Sequence, residues 1–162
     1  MADVTKNKIL KPDNGPFGGV PYGNLTAFHF NLITNSSGVL VDSDLATALV
    51  DTSNVRIGVL PKGFLICDAL IAVSDAFDTG VTLDIGFEYV DGVDDSDVPE
   101  DADYFGNAIA ASSALRQYAD NLAVGPVRLA KDAYVTVLID DDDHEAAGVL
   151  DVVVWGIAEG KL

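Results

Sequence analysis

Between Val55 and Val90 the chain reads RIGVLPKGFLICDALIAVSDAFDTGVTLDIGFEYV inside its two ends, and this stretch restricts the possible folds more than any other. Val81, Leu83, Ile85, Phe87 and Tyr89 alternate with Thr82, Asp84, Gly86 and Glu88. That period of two belongs to a half-buried strand and not to a helix. Upstream, Phe64 to Val73 is apolar except for Asp68, which predicts a strand covered on both faces, as in the middle of a sandwich. Pro61-Lys62-Gly63 turns the preceding strand, Asn54 to Leu60, into it. The loop Ser74 to Gly80 joins it to the alternating strand, with Phe77 folding back as a lid on the sheet edge.

The remaining segments add strands around this group. Leu25 to Ile33 alternates Phe28, Phe30 and Leu32 with His29 and Asn31, and TNSSG from Thr34 to Gly38 is a turn. Val39 to Val50 reads either as a short strand with a loop or as a helical turn capped by Asp42 or Ser43. Tyr104 to Tyr118 reads either as a short helix or as a strand plus a loop. Asn121 to Leu129, with Gly125-Pro126, is a connection into a short edge strand. Ala133 to Ile139 is a strand, and Val149 to Ala158 is the last one, with Trp155 expected as its large core residue. Roughly seven to nine strands with little helix make the chain all-β, a β-sandwich of jelly-roll-like form.

Length and charge bound the rest. With 162 residues, 49% of them hydrophobic, the chain suits one domain with a substantial core. Its 26 acidic and 9 basic residues give a formal net charge of −17, which disfavours nucleic acid and anionic membrane as partners. Cys67 is the only cysteine, so no intramolecular disulfide can form, and its apolar neighbours predict a buried structural thiol. The start, MADVTKNKILKPD, has no apolar stretch of signal-peptide length, and about 18 uninterrupted apolar residues occur nowhere, which points to a protein made in the cytoplasm or assembled into something made there.

Residues 1–24 carry Lys6, Lys8 and Lys11, three of the nine basic residues, with Pro12, Pro16 and Pro21 among Gly15, Gly18, Gly19 and Gly23. This predicts an irregular arm, either a loose terminus or a segment suited to lie on an acidic neighbour. Residues 25–162 then form a single β-sandwich domain.

Candidate chemistry is sparse. Asp91, Asp94, Asp95 and Asp97, and the run Asp140, Asp141, Asp142 and Asp143, have the ligand type of a calcium site but not the spacing of a calcium-binding loop. A solvated acidic surface is the simpler reading, and the segment Asp91 to Asp103, with seven acidic residues, is expected to be exposed. His144-Glu145 lacks a nucleophile and an orienting partner, and His29 has no second ligand spaced to join it. No catalytic, cofactor-binding or metal-binding residue is assigned, and no cofactor is expected.

From Val59 to Gly86 the order strand, L-P-K-G turn, apolar strand, A-F-D-T-G loop and V-T-L-D-I-G resembles small virion proteins of tailed bacteriophages, and Val149 to Ile157 is similar to their closing strand. The resemblance implies a head decoration, or cement, protein: a non-enzymatic jelly-roll subunit, commonly a homotrimer, made in the host cytoplasm. Such a subunit sits on the outer capsid surface and clamps neighbouring major capsid proteins. Two other roles stay open, a tail or fibre subunit and a carbohydrate- or receptor-binding sandwich using aromatics among Tyr22, Tyr89, Tyr104, Tyr118 and Trp155.

Overall fold

The computed structural model describes residues 3–5, 24–121 and 125–158. In chain order its strands are β1 (Asp3–Thr5), β2 (Asn24–Thr34), β3 (Asn54–Leu60), β4 (Phe64–Asp75), β5 (Thr82–Tyr89), β6 (Asp101–Ala110), β7 (Leu115–Tyr118), β8 (Val127–Arg128), β9 (Ala133–Asp140) and β10 (Gly148–Ala158). Among the described residues there is no helix. Two sheets result, one ordered β1-β3-β9-β5-β6 and the other β2-β10-β4-β7, with β8 also pairing β4. Apart from β5 and β6, and the short β7 and β8, successive strands lie in opposite sheets, so the chain winds around the core in jelly-roll-like fashion. All pairings are antiparallel except β1 against β3, where Asp3, Val4 and Thr5 lie opposite Asn54, Val55 and Arg56.

The core lies between the sheets and is built by alternation. Leu83, Ile85, Phe87 and Tyr89 of β5 point inward, and so do Val135, Val137 and Ile139 of β9. From the other sheet come Phe28, Phe30 and Leu32, Ile66, Ala69, Ile71 and Val73, and Leu150, Val152 and Val154. Gly86 interrupts the pattern for a steric reason: a Cβ there would stand 2.0 Å from the Asp101 carbonyl oxygen, so only glycine lets β6 cross β5 at that point. The two segments left open by the sequence resolve without helix. Val39 to Val50 forms turns held by isolated bridges, Val39 to Ala48 and Leu49 to His144, while Tyr104 to Tyr118 divides between β6, a turn and β7. Of residues 1–24, Asp3–Thr5 extends the sheet edge, and the expected irregular stretch otherwise lies outside the described residues.

Three expectations need correction, and all concern the sheet holding β4 and β10. β4 is covered on one face only: Phe64, Ile66, Ala69, Ile71 and Val73 are buried, whereas Leu65, Leu70 and Ala72 are half-exposed on the outer face. Cys67 is exposed, not buried. The register against β10 jumps from Asp68 opposite Trp155 to Ile66 opposite Gly156, which leaves Cys67 as the extra residue of a bulge with its side chain turned outward. Trp155 is not a core residue either. With Val152 and Val154 facing the core, the residue after them falls on the outer face.

These positions separate in unfolding experiments. Ile66→Ala is expected to lower stability by about 2–5 kcal/mol, as for a buried aliphatic truncation, and Cys67→Ala to stay within about 0.5 kcal/mol of wild type. Urea denaturation measures both. Native Cys67 should also react with a thiol reagent at the rate of the urea-unfolded chain within about tenfold.

Candidate interaction surface

The outer faces of the two sheets differ in chemistry. On the sheet containing β3, β9 and β5, Arg56 pairs with Glu88 and lies 5.0 Å from the centroid of the Tyr134 ring. Asn54 Nδ2 donates to Glu88 Oε2 at 3.2 Å, and Thr82 Oγ1 donates to Asp141 Oδ2 at 2.8 Å. Asp84 accepts from the Ala108 amide at 2.7 Å; burial raises its pKa above the ordinary carboxylate value, against that hydrogen bond. This face is polar, acidic and internally bonded.

The face of β2, β10, β4 and β7 is apolar over much of its length. Register places Leu25, Ile157 and Leu65 side by side, then Ala27, Trp155 and Asp68, then His29, Val153, Leu70 and Tyr118. Leu25 is 73% exposed and Tyr118 63% exposed. The Tyr118 and Trp155 rings meet edge to face, with centroids 5.8 Å apart and planes at 88°. The next row, Asn31, Asp151, Ala72 and Arg116, returns to polar character, and His29 Nε2 lies 2.7 Å from Asp151 Oδ1. Half of β10 and half of β4 thus present aliphatic and aromatic side chains to solvent, the composition of an interface centre with a polar margin.

The residues singled out in sequence for possible chemistry have structural partners instead. His144 is fully buried. The Asp78 amide donates to its Nδ1 at 3.3 Å, and its Nε2 stands 2.8 Å from Thr34 Oγ1, which donates in turn to the Ala146 carbonyl at 3.1 Å. The Asp78 carboxylate Oδ2 also lies 3.4 Å from Nδ1. Burial lowers the His144 pKa below 6.5, and the Asp78 carboxylate acts in the opposite sense. Phe77 closes over the ring at 4.6 Å, buried as its expected folding back requires. Glu145 contributes its backbone amide to the Asp78 carboxylate.

The acidic loops hold their own backbone. Asp94 accepts from the amides of Asp95 and Glu100, Asp95 from those of Asp97 and Val98, and Asp143 from that of Asp51. Among the described residues no group of three or more His, Cys, Asp or Glu side chains is arranged to hold a metal ion. Of the aromatics considered for glycan binding, Tyr89 and Tyr104 are buried and Tyr22 lies outside the described residues. Tyr104 donates to the Gly125 carbonyl at 2.6 Å, and burial pushes its pKa up to about 12. Among the described residues Tyr118 and Trp155 come together on the surface, edge to face.

No protein-family model matches the sequence, and no curated protein matches it. Solved structures do. A chain in the capsid of Ralstonia phage GP4 superposes with a TM-score of 0.66 at 17% identity, over 99% of this chain and 100% of that one. This chain has a fold found in a bacteriophage capsid. A chain in the capsid asymmetric unit of cyanophage Pam1 matches with a TM-score of 0.54 at 17% identity, over 83% of this chain and 85% of that one. At 17% identity the likeness to these chains is one of fold.

Burial of His144 has a consequence for pH. Its folded pKa is lowered, so between the ordinary 6.5 and that lower value the unfolded state binds more protons, and stability falls as pH drops below about 6.5. The urea midpoint should decline from pH 7.5 to 5.5. His144→Gln should start about 1–3 kcal/mol less stable at pH 7.5 and show a flatter decline.

Proposed function

We propose that the protein is a structural component of a bacteriophage virion, a jelly-roll decoration subunit that sits as a homotrimer on the outer capsid surface and stabilises the shell by clamping neighbouring major capsid proteins. The observation that carries the reading is the end-to-end match with a chain of the Ralstonia phage GP4 capsid, 99% of one chain against 100% of the other. The surface chemistry supports it. A cement protein needs a rigid body and docking faces rather than an active site, and the satisfied histidines and self-bonded acidic loops fit a non-enzymatic role without a cofactor. A net charge of −17 keeps such a subunit away from packaged DNA after synthesis in the host cytoplasm.

In this reading residues 25–162 are the rigid body and residues 1–24 the arm, whose Asp3–Thr5 stays paired with β3 of its own body while the stretch between it and β2 reaches a neighbouring capsid subunit. The arm's Lys6, Lys8 and Lys11 give it a sign opposite to that of the body. Many copies on one shell act together, so each contact can be weak.

Co-sedimentation with shells assembled from the major capsid protein of the same virus tests the proposal. Saturable binding and a raised shell melting temperature are expected. Residues 25–162 alone, which lack the edge strand β1, should still unfold in one cooperative transition yet bind at least about tenfold more weakly. Full-length protein that stays in the supernatant at every salt concentration overturns the decoration role, and unchanged binding by residues 25–162 removes the arm from it.

A further inference from the structure

Trp155, the single tryptophan of the chain, stands on an exterior face of the sandwich beside Tyr118, Leu70 and Val153, where a core residue would have been expected. We infer that the outer face of β2, β10, β4 and β7 is the surface through which copies of this chain associate with one another. This deepens the trimeric part of the proposed function by naming its contact surface, and it stands or falls independently of capsid binding.

Charge selects the occupant. Two molecules of net charge −17 repel, and across the chain acidic residues outnumber basic ones by 26 to 9. The polar sheet face offers less relief: among the described residues of β3, β5 and β9, Asp84, Glu88 and Asp140 stand with one basic residue, Arg56, which pairs with Glu88. The apolar face is different: Asp68, Asp75 and Asp151 share it with two arginines, Arg116 and Arg128. Two of these carboxylates are already engaged, Asp151 with His29 at 2.7 Å and Asp68 with the Ala69 amide at 2.7 Å. On this face more than on the other the balance of charge allows an identical, strongly acidic molecule to approach. Its cations lie along the β7 and β8 margin and its carboxylates on β4 and β10, so one copy supplies both halves of the ion pairs that a second copy needs.

The centre of the face supplies the attraction. Leu25 and Tyr118 are 73% and 63% exposed, and with Ile157, Leu65, Trp155, Val153 and Leu70 they form an apolar area three rows deep, interrupted by Asp68 and His29. Covering such surface stabilises by roughly 25 cal/mol per Å². Association driven this way between like-charged molecules strengthens as salt screens their repulsion, opposite to binding between an acidic subunit and a basic partner.

Trp155 makes the test direct. Purified full-length protein is followed by light scattering and tryptophan emission from about 1 to about 200 μM, at about 0.05 and about 0.5 M NaCl, spanning Debye lengths from well above to well below about 10 Å. Mass is expected to rise from 17.0 kDa to a multiple of it, sooner at high salt, with a blue shift of emission and weaker iodide quenching over the same concentration range. Leu70→Glu and, separately, Tyr118→Glu should shift the association midpoint at least about tenfold upward while keeping the wild-type unfolding transition. Val93→Glu, at a position 60% exposed in the acidic loop, should leave the midpoint unchanged. A mass of 17.0 kDa throughout overturns the inference, whether Trp155 is quenched freely or shielded by the chain's own residues. So does association that leaves Trp155 emission unchanged or ignores both glutamate variants. Trp155 shielded only when capsid shells are added gives the face to the shell, overturning the self-contact while leaving the decoration role intact.

Discussion

β10 pairs on both edges, with β2 over its whole length and with β4 through two register shifts, and the rest of its sheet depends on that double pairing. A strand fixed on both sides has one parity. Leu150, Val152 and Val154 enter the core, and Val149, Asp151, Val153, Trp155 and Ile157 must then leave it. The partners inherit the choice: Phe28, Phe30 and Leu32 go inward with His29 outward, and Ile71 and Val73 inward with Leu70 and Ala72 outward. The apolar exterior is thus a direct product of the pairing that closes the core, and a one-residue slip of β10 would exchange its two faces.

Where the strands end, polar contacts take over the task of fixing the chain. His144 gathers the end of β2 through Thr34, the loop after β4 through Asp78 and Phe77, and Leu49 through a backbone bridge. Gly38, with φ of +69°, approaches so closely that a Cβ would lie 1.8 Å from the His144 carbonyl oxygen. Among the described residues no buried side-chain nitrogen or oxygen lacks a hydrogen-bond partner. A buried imidazole with its partners supplied orders three loops, whereas the same ring protonated would carry a desolvated charge that the Asp78 carboxylate offsets only in part.

The alternation of β2, β5 and β9 was legible because polar and apolar residues take turns along them. Segments lacking a polar residue to mark the outward face were not. In β10 the run Val152-Val153-Val154 has no contrast, and size suggested an inward Trp155; Asp151, four residues earlier on the same side, was the available signal. In β4 the cue from Asp68 is scrambled by the bulge, because an extra residue changes the parity on either side of it, and Cys67 follows from that. Helix-forming residues between Tyr104 and Tyr118 gave way to pairing with β5 and β4, tertiary context outweighing intrinsic preference. The absence of a recognisable catalytic motif was readable at once, but the interaction surface was not, since no local pattern distinguishes an apolar residue facing a core from one facing a partner.

At 17% identity the likeness to phage capsid chains lies in the path of the backbone, which tolerates wide exchange of residues as long as inward and outward positions keep their character. Function in such a fold has to be written on the outward positions, and there this chain makes an unusual division. Nearly three acidic residues to each basic one would suffice to keep it dispersed, yet one face carries Leu25, Leu70, Tyr118 and Trp155 among mixed charges. Solubility alone would favour polar side chains at these positions, because none of them is required to fill the core. An apolar face that persists against both hydration and the chain's own charge is best accounted for by a molecule that covers it, and the acidic surround then limits how that molecule can approach.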